Sequence, residues 1–289
     1  MKSKDQYFSN SWAIILGGSS GMGLAAAKKL ASEGMHLCLV HRDRKAGVQQ
    51  LKEEVKSMAA HGIKLCHYNV DALRPEKRQE VLEDLKNQMA PGETVKLLLH
   101  AIARGNLKPL APHKSISKQL DDPSPLAKEL DEIYANQQSF LQNSDFSATL
   151  EAMAISLYDW VQDSFQQDLF ATDSRVIGLT SEGGSKAWKT YGAVSVAKAA
   201  LEALVRSVAL EFAPHGIRCN ALQPGVTDTP SLRMIPGSSQ LKRAARERNP
   251  FHQLTTPETI ADVIYLLCRD EARWINGVVL PVDGGESIT

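Results

Sequence analysis

Seven short apolar runs alternate with amphipathic stretches along the chain, and this alternation confines it to one kind of fold. The runs are WAIILG, MHLCLVH, IKLCHYNV, VKLLLHAIA, SRVIGLT, IRCNALQP and GVVLPVDGG, and each reads as a buried strand. Between them, apolar residues recur at helical spacing over 22–33, 44–60, 75–89, 145–169, 191–213 and 257–268. Strand–helix alternation repeated this often predicts parallel βαβ units with helices on both faces of one sheet. The expected class is α/β: a doubly wound, mostly parallel sheet of seven strands. The 289 residues fill one such domain, 1–289, with no linker, repeat or low-complexity tract to divide it.

Two segments break the rhythm. Residues 104–142 form a long connection containing DDPSP, and residues 226–250 form another, rich in Pro, Gly and basic residues. Long loops in compact domains are usually functional, and both of these follow the carboxyl ends of strands, where ligands bind in such sheets.

Charge and special residues exclude several classes. Lys plus Arg and Asp plus Glu are equal at 33 each, so the basic footprint of a nucleic-acid binder is absent. The first apolar run stops at glycines, as a strand does and a signal peptide does not. No run approaches the length of a membrane span. Cys38, Cys66, Cys219 and Cys268 lie in apolar segments without a close pair, which predicts reduced core thiols and a cytoplasmic protein. The eight histidines show no metal-ligand spacing.

The first strand leads into LGGSSGMGLAAAKKLASEG, where Gly17, Gly21 and Gly23 bracket Ser19, Ser20 and Met22. Glycine lets a backbone turn tightly beneath a pyrophosphate, and the helix that follows aims its positive end at the phosphates. The segment is expected to bind a dinucleotide. An acid at the end of the second strand would accept from an adenosine ribose hydroxyl. His41 and Arg42 stand there instead, and Arg42 suits a 2′-phosphate, so NADPH is expected rather than NADH. Asn69 and Val70, closing the third strand, are placed to border the adenine.

These pieces resemble the short-chain dehydrogenase/reductase superfamily. GGSSGMG, the Tyr191–Lys198 helix, NALQPGVTDT and the closing VDGG fall in that family's order and spacing. Within it, the chain is most similar to the enoyl-acyl-carrier-protein reductases, through His100-Ala101-Ile102-Ala103, a Tyr-x6-Lys spacing and the ending DGGESI. The resemblance implies a Rossmann fold, with Tyr191, Lys198 and Ser181 as catalytic residues. It also implies cofactor contacts from His100, Ala101, Ile102, Lys198, Pro224, Gly225, Val226 and Thr227. Lys198 would hold the nicotinamide ribose and favour a more acidic phenol. Residues 226–250 would form a lid, and Lys242, Arg243, Arg246 and Arg248 a basic patch for an acidic acyl carrier protein. A role in fatty acid biosynthesis and a homotetramer are further implications. The chain departs from the subgroup in its general-type glycine loop, in Leu16 before the first glycine, and in Ser181 where a second tyrosine would stand.

The Tyr–Lys spacing carries its own chemical reading. Residues four and seven apart share a helix face, but they differ along the axis by about 6 Å against about 10 Å. In a ketone, the carbon that receives hydride bears the oxygen that needs a proton. In an α,β-unsaturated thioester, hydride goes to the β-carbon and charge develops further along, on the carbonyl oxygen. A tyrosine set one turn back meets that oxygen. Val194, at the nearer position, cannot donate. The expected activity is NADPH-dependent reduction of an enoyl thioester. A carbonyl or dienoyl reductase of the same superfamily, and a non-catalytic NADP-binding sensor or scaffold, are the alternatives.

Overall fold

The computed structural model describes residues 7–289 except 116, 118–120, 123 and 136–138. Each apolar run forms a strand: β1 (Ser11–Leu16), β2 (His36–His41), β3 (Leu65–Asn69), β4 (Thr94–His100), β5 (Phe170–Leu179), β6 (Ile217–Pro224) and β7 (Val279–Val282). The helices are α1 (Gly21–Ser32), α2 (Lys45–Ala59), α3 (Pro75–Gln88), α4 (Pro125–Ala135), α5 (Asn143–Leu150), α6 (Ser156–Gln166), α7 (Gly192–Glu211), α8 (Pro230–Arg233), α9 (Ser238–Arg248) and α10 (Pro257–Cys268).

The strands make one sheet in the order β3-β2-β1-β4-β5-β6-β7, and every neighbouring pair is parallel. The expected mostly parallel sheet is therefore wholly parallel. Such sheets are covered on both faces, which is why these strands read as unbroken apolar runs. One face packs Ala26, Ala27 and Leu30 of α1, Leu51 of α2, and Ile260 and Ile264 of α10 into a single core. The other packs Leu82 of α3, Trp160 of α6, and Leu201 and Val205 of α7. The chain runs outward from β1 to β3, then returns to β4 on the far side of β1. Strand order reverses there, and the loops at the carboxyl ends diverge to leave a cleft.

Three segments differ from expectation. The helical pattern over 145–169 is interrupted by a π-helical turn at Glu151–Ile155, where the Ser156 N–H reaches back five residues to the Glu151 carbonyl. Segment 104–142 contains α4, and segment 226–250 contains α8 and α9, so neither is wholly irregular. All four cysteines are buried free thiols. Among the described residues, no helix is long and apolar enough to cross a membrane, and no group of three or more His, Cys, Asp or Glu could hold a metal ion.

Candidate active site

A cleft of about 340 Å³ opens beyond the carboxyl ends of β1 and β4. Gly17, Ser19, Ser20, Gly21, Met22, Gly23, Arg42, Val70, Ala101 and Ile102 line it together, drawn from four loops. Its floor depends on two glycines. Gly17 has φ +86°, and a Cβ there would lie 2.7 Å from the Ala101 carbonyl oxygen. A Cβ on Gly23 would lie 2.2 Å from the Gly17 carbonyl oxygen. Turn and helix thus approach more closely than any side chain permits. Ser20 is the N-cap of α1 but makes no side-chain cap bond, so the leading N–H groups of the helix stay available to an anion.

At the outer end of the cleft, Arg42 Nη1 lies 2.8 Å from Asp71 Oδ2. Asp43 Oδ2 stands 2.8 Å from His41 Nδ1, which turns that acid away from Arg42. Asn69 accepts from the Asp43 N–H at 2.8 Å and donates to the Asp43 carbonyl at 3.1 Å. It therefore shapes the loop that carries Arg42 and is not part of the cleft wall. His100 is also set apart from the wall. It is buried, with Nε2 2.8 Å from Ser156 Oγ; burial, and next the charge of Lys198, hold its pKa down to about 3. Pro224, Gly225, Val226 and Thr227 stand outside the same cleft. They are fastened to the C-terminal segment: the Val226 N–H donates to Glu286 Oε2 at 3.0 Å, and a Cβ on Gly225 would meet Thr255 Oγ1 at 2.5 Å. Glu286 was invisible to a reading by local pattern, because its partner lies sixty positions upstream.

Tyr191 is the N-cap of α7, and Lys198 sits two turns into the helix. Val194, between them, is buried with Ala152, Met153 and Ala197. Gly105 passes so close that a Cβ on it would lie 2.5 Å from Val194 Cγ2. A ring at position 194 therefore has no room, which adds a steric reason to the chemical one. The Tyr191 ring lies against Gly183, where a Cβ would meet Cε1 at 2.5 Å. Thr190 precedes it at φ +64°, a costly conformation for a β-branched residue and one that sequence alone does not announce. Ser181 Oγ is buried without a hydrogen bond of ordinary geometry, yet lies near enough to the phenol to pull its pKa down. Burial outweighs that pull, and the Tyr191 pKa is raised. Lys198 is not among the causes of this shift, which are burial and Ser181. The Lys198 ammonium donates to the Leu179 carbonyl at 2.5 Å, and burial pushes its pKa down to about 8, against the opposing pull of Glu202.

A family model for short chain dehydrogenase matches residues 11–117, and one for Enoyl-(Acyl carrier protein) reductase matches residues 134–287. The chain belongs to the short-chain dehydrogenase/reductase superfamily. A tropinone reductase homologue of Arabidopsis thaliana is 26% identical over 276 residues, covering 96% of this chain and 90% of its own. A 1-cyclohexenylcarbonyl-CoA reductase of Streptomyces collinus is 27% identical over 280 residues, covering 96% and 86%. The crystal structure of an NADH enoyl-[acyl-carrier-protein] reductase from Aquifex aeolicus superposes with a TM-score of 0.76 at 22% identity, covering 98% of each chain, and so shares the fold.

In this member of the short-chain dehydrogenase/reductase superfamily, the segment 226–250 expected to form a lid is tied down at several points. Arg243 pairs with Glu129 of α4 at 3.1 Å, and Lys242 with Asp228 at 3.5 Å. Arg248 reaches Glu286 at 2.9 Å and Glu182 at 3.6 Å. Three of the four cations singled out as a docking patch are therefore paired within the chain, and Arg246 is left exposed. Segments 104–142 and 226–250 meet where α4 and α9 pair through Glu129 and Arg243, and Leu110 and Leu141 of the first segment lie against Gly192, next to Tyr191.

Proposed function

We propose that the protein is an NADPH-dependent reductase of the α,β double bond of an enoyl thioester. The observation that carries this reading is the placement of Tyr191 at the head of α7 with Val194 packed into the nearer position. The Streptomyces relative, whose name specifies a cyclohexenylcarbonyl thioester, supports the same substrate class. The residues of the cleft fit a dinucleotide: the Gly17–Gly23 turn and the uncapped start of α1 would take the pyrophosphate, and Arg42 would take a 2′-phosphate. Bound there, the cofactor would supply hydride to the β-carbon, and a proton from solvent would complete the α-carbon. Tyr191 then donates a hydrogen bond to the carbonyl oxygen as negative charge develops on it. Burial keeps the phenol protonated at neutral pH, so it acts as a donor throughout. Lys198 would hold the nicotinamide ribose, and Ser181 would orient Tyr191. With most of the basic patch paired internally, a carrier protein would find little free charge there, and the coenzyme A thioester is the better first substrate. The family resemblance also implies a homotetramer, a proposal for sedimentation velocity to decide.

Purified protein should oxidise NADPH with crotonyl-coenzyme A, read as loss of the reduced-nicotinamide absorbance, and should use NADH less well. Arg42→Ala should raise KM for NADPH with little change in kcat. Turnover of a cyclic ketone but not the enoyl thioester would favour a carbonyl reductase, the reading that the tropinone reductase homologue suggests. Preference for NADH would overturn the cofactor assignment.

The depressed Lys198 pKa gives a pH test. The group is charged below about 8 in the folded protein, against an ordinary value of 10.5. If the ammonium is the working form, kcat/KM should fall as pH rises through about 8. Stability should move the other way. Between about 8 and 10.5 the unfolded chain holds the extra proton, so this group's contribution to stability rises with pH. An activity profile flat through that window would remove the charged role from Lys198.

A further inference from the structure

Three charged side chains from three different strand ends converge over the outer half of the cleft. Arg42 follows β2, Asp71 follows β3 and Arg104 follows β4. All three line the cleft. One carboxylate oxygen serves both arginines: Asp71 Oδ2 lies 2.8 Å from Arg42 Nη1 and 3.6 Å from Arg104 Nη1. β1 separates β2 from β4, so the two guanidinium groups that meet at this oxygen come from loops that are not neighbours in the sheet. The other acid on the wall, Asp43, faces His41 and takes no part. Two cations therefore share a single negative charge at the place where the ribose of an adenine dinucleotide would lie.

Both arginine side chains are 59% exposed, so neither ion pair is strongly held. A phosphate monoester carries about −1.5 to −2 at pH 7 and offers three acceptor oxygens, which suits two planar guanidinium forks better than one shared carboxylate oxygen does. We infer that Arg104 is a second cation for the cofactor's 2′-phosphate, and that Asp71 keeps both arginines converged until that phosphate displaces it. The inference rests on the NADPH reading and deepens it. Arg42 alone follows from its place after β2. Arg104 belongs to the segment that breaks the sequence pattern, and only the fold brings it across the cleft.

The test uses binding in place of turnover. Calorimetric titration of the full chain with 2′,5′-ADP and with 5′-AMP isolates the 2′-phosphate, the one group that differs between them. Arg104→Ala should weaken 2′,5′-ADP about tenfold and 5′-AMP hardly at all, since one charge-assisted contact is removed. Arg104→Lys, which keeps the charge but loses the fork, should fall between. Asp71→Asn should widen the ratio of the two affinities, because the competing carboxylate is gone while any contact to adenine affects both ligands alike. If Arg104→Ala leaves that ratio unchanged while Arg42→Ala lowers it, Arg104 has no such role and the NADPH reading stands. A wild-type protein that binds both ligands equally would overturn the NADPH reading itself.

Discussion

Replacing Tyr191 with phenylalanine is expected to cut turnover of an enoyl thioester on the order of 100- to 1000-fold while leaving NADPH affinity nearly unchanged. The ring is retained, and with it the packing against Gly183; only the hydroxyl is lost. The expected loss corresponds to about 2.7–4 kcal/mol, the usual effect of removing one donor from a developing oxyanion. Ser181 could limit it, because its buried hydroxyl already lies near the phenol without a settled hydrogen bond. Tyr191→Phe combined with Ser181→Ala should then be more severe than either change alone. Val194→Tyr should not restore activity to Tyr191→Phe. Its ring would have to displace Gly105, Met153 or Thr149, which close around that position. Steady-state kinetics, with cofactor affinity measured separately by fluorescence titration, checks all of these. Wild-type kcat in Tyr191→Phe, where hydride transfer limits the rate, would end the proposed role.

Gly23→Ala should be nearly as damaging, through the other half of the reaction. The added methyl would lie 2.2 Å from the Gly17 carbonyl oxygen and 2.9 Å from its carbon, both backbone atoms that cannot turn aside. The loop must open, which should destabilise the fold by about 1–3 kcal/mol. A shift of about 1 Å beneath a pyrophosphate should weaken NADPH binding on the order of 100-fold. Gly18→Ala is the matched control. Its methyl would meet Leu39 Cδ2 at 3.1 Å and the Ile15 carbonyl oxygen at 3.3 Å, contacts that a shift of a few tenths of an ångström relieves. Thermal unfolding and NADPH titration of the two variants should separate clearly. Equal and mild effects would mean that the turn is not held in the form described.

Much of this was legible along the chain. Strands buried on both faces in a wholly parallel sheet leave continuous apolar runs, so all seven could be found from WAIILG to GVVLPVDGG. The glycine loop was legible for a similar reason: tight turns leave few alternatives to glycine. What escaped local reading depends on partners distant in sequence. Arg104 acquires meaning from Asp71 on another strand, and Glu286 from Val226. Asn69 was placed against the adenine because it ends a strand, yet its side chain is occupied with Asp43. The patch around Arg243 looked free because its acids, Glu129 and Asp228, lie outside α9. The π-helical turn at Glu151–Ile155 leaves the apolar spacing of one long helix nearly intact, so periodicity passed over it.

The packing of α1 against α10 bears on how the site comes into being. The apolar side of α1, with Ala26, Ala27 and Leu30, shares its core with Ile260 and Ile264, which lie near the other end of the sequence. Pairing of β1 with β4 likewise spans three intervening helices. Contacts this distant must close large loops before they return any stability, which makes folding slow. During synthesis the glycine motif emerges early, but the helix behind it has no complete surface to rest on until α10 has been made. Cofactor binding should therefore appear late in refolding, after the bulk of the secondary structure, and its onset would time the docking of α10.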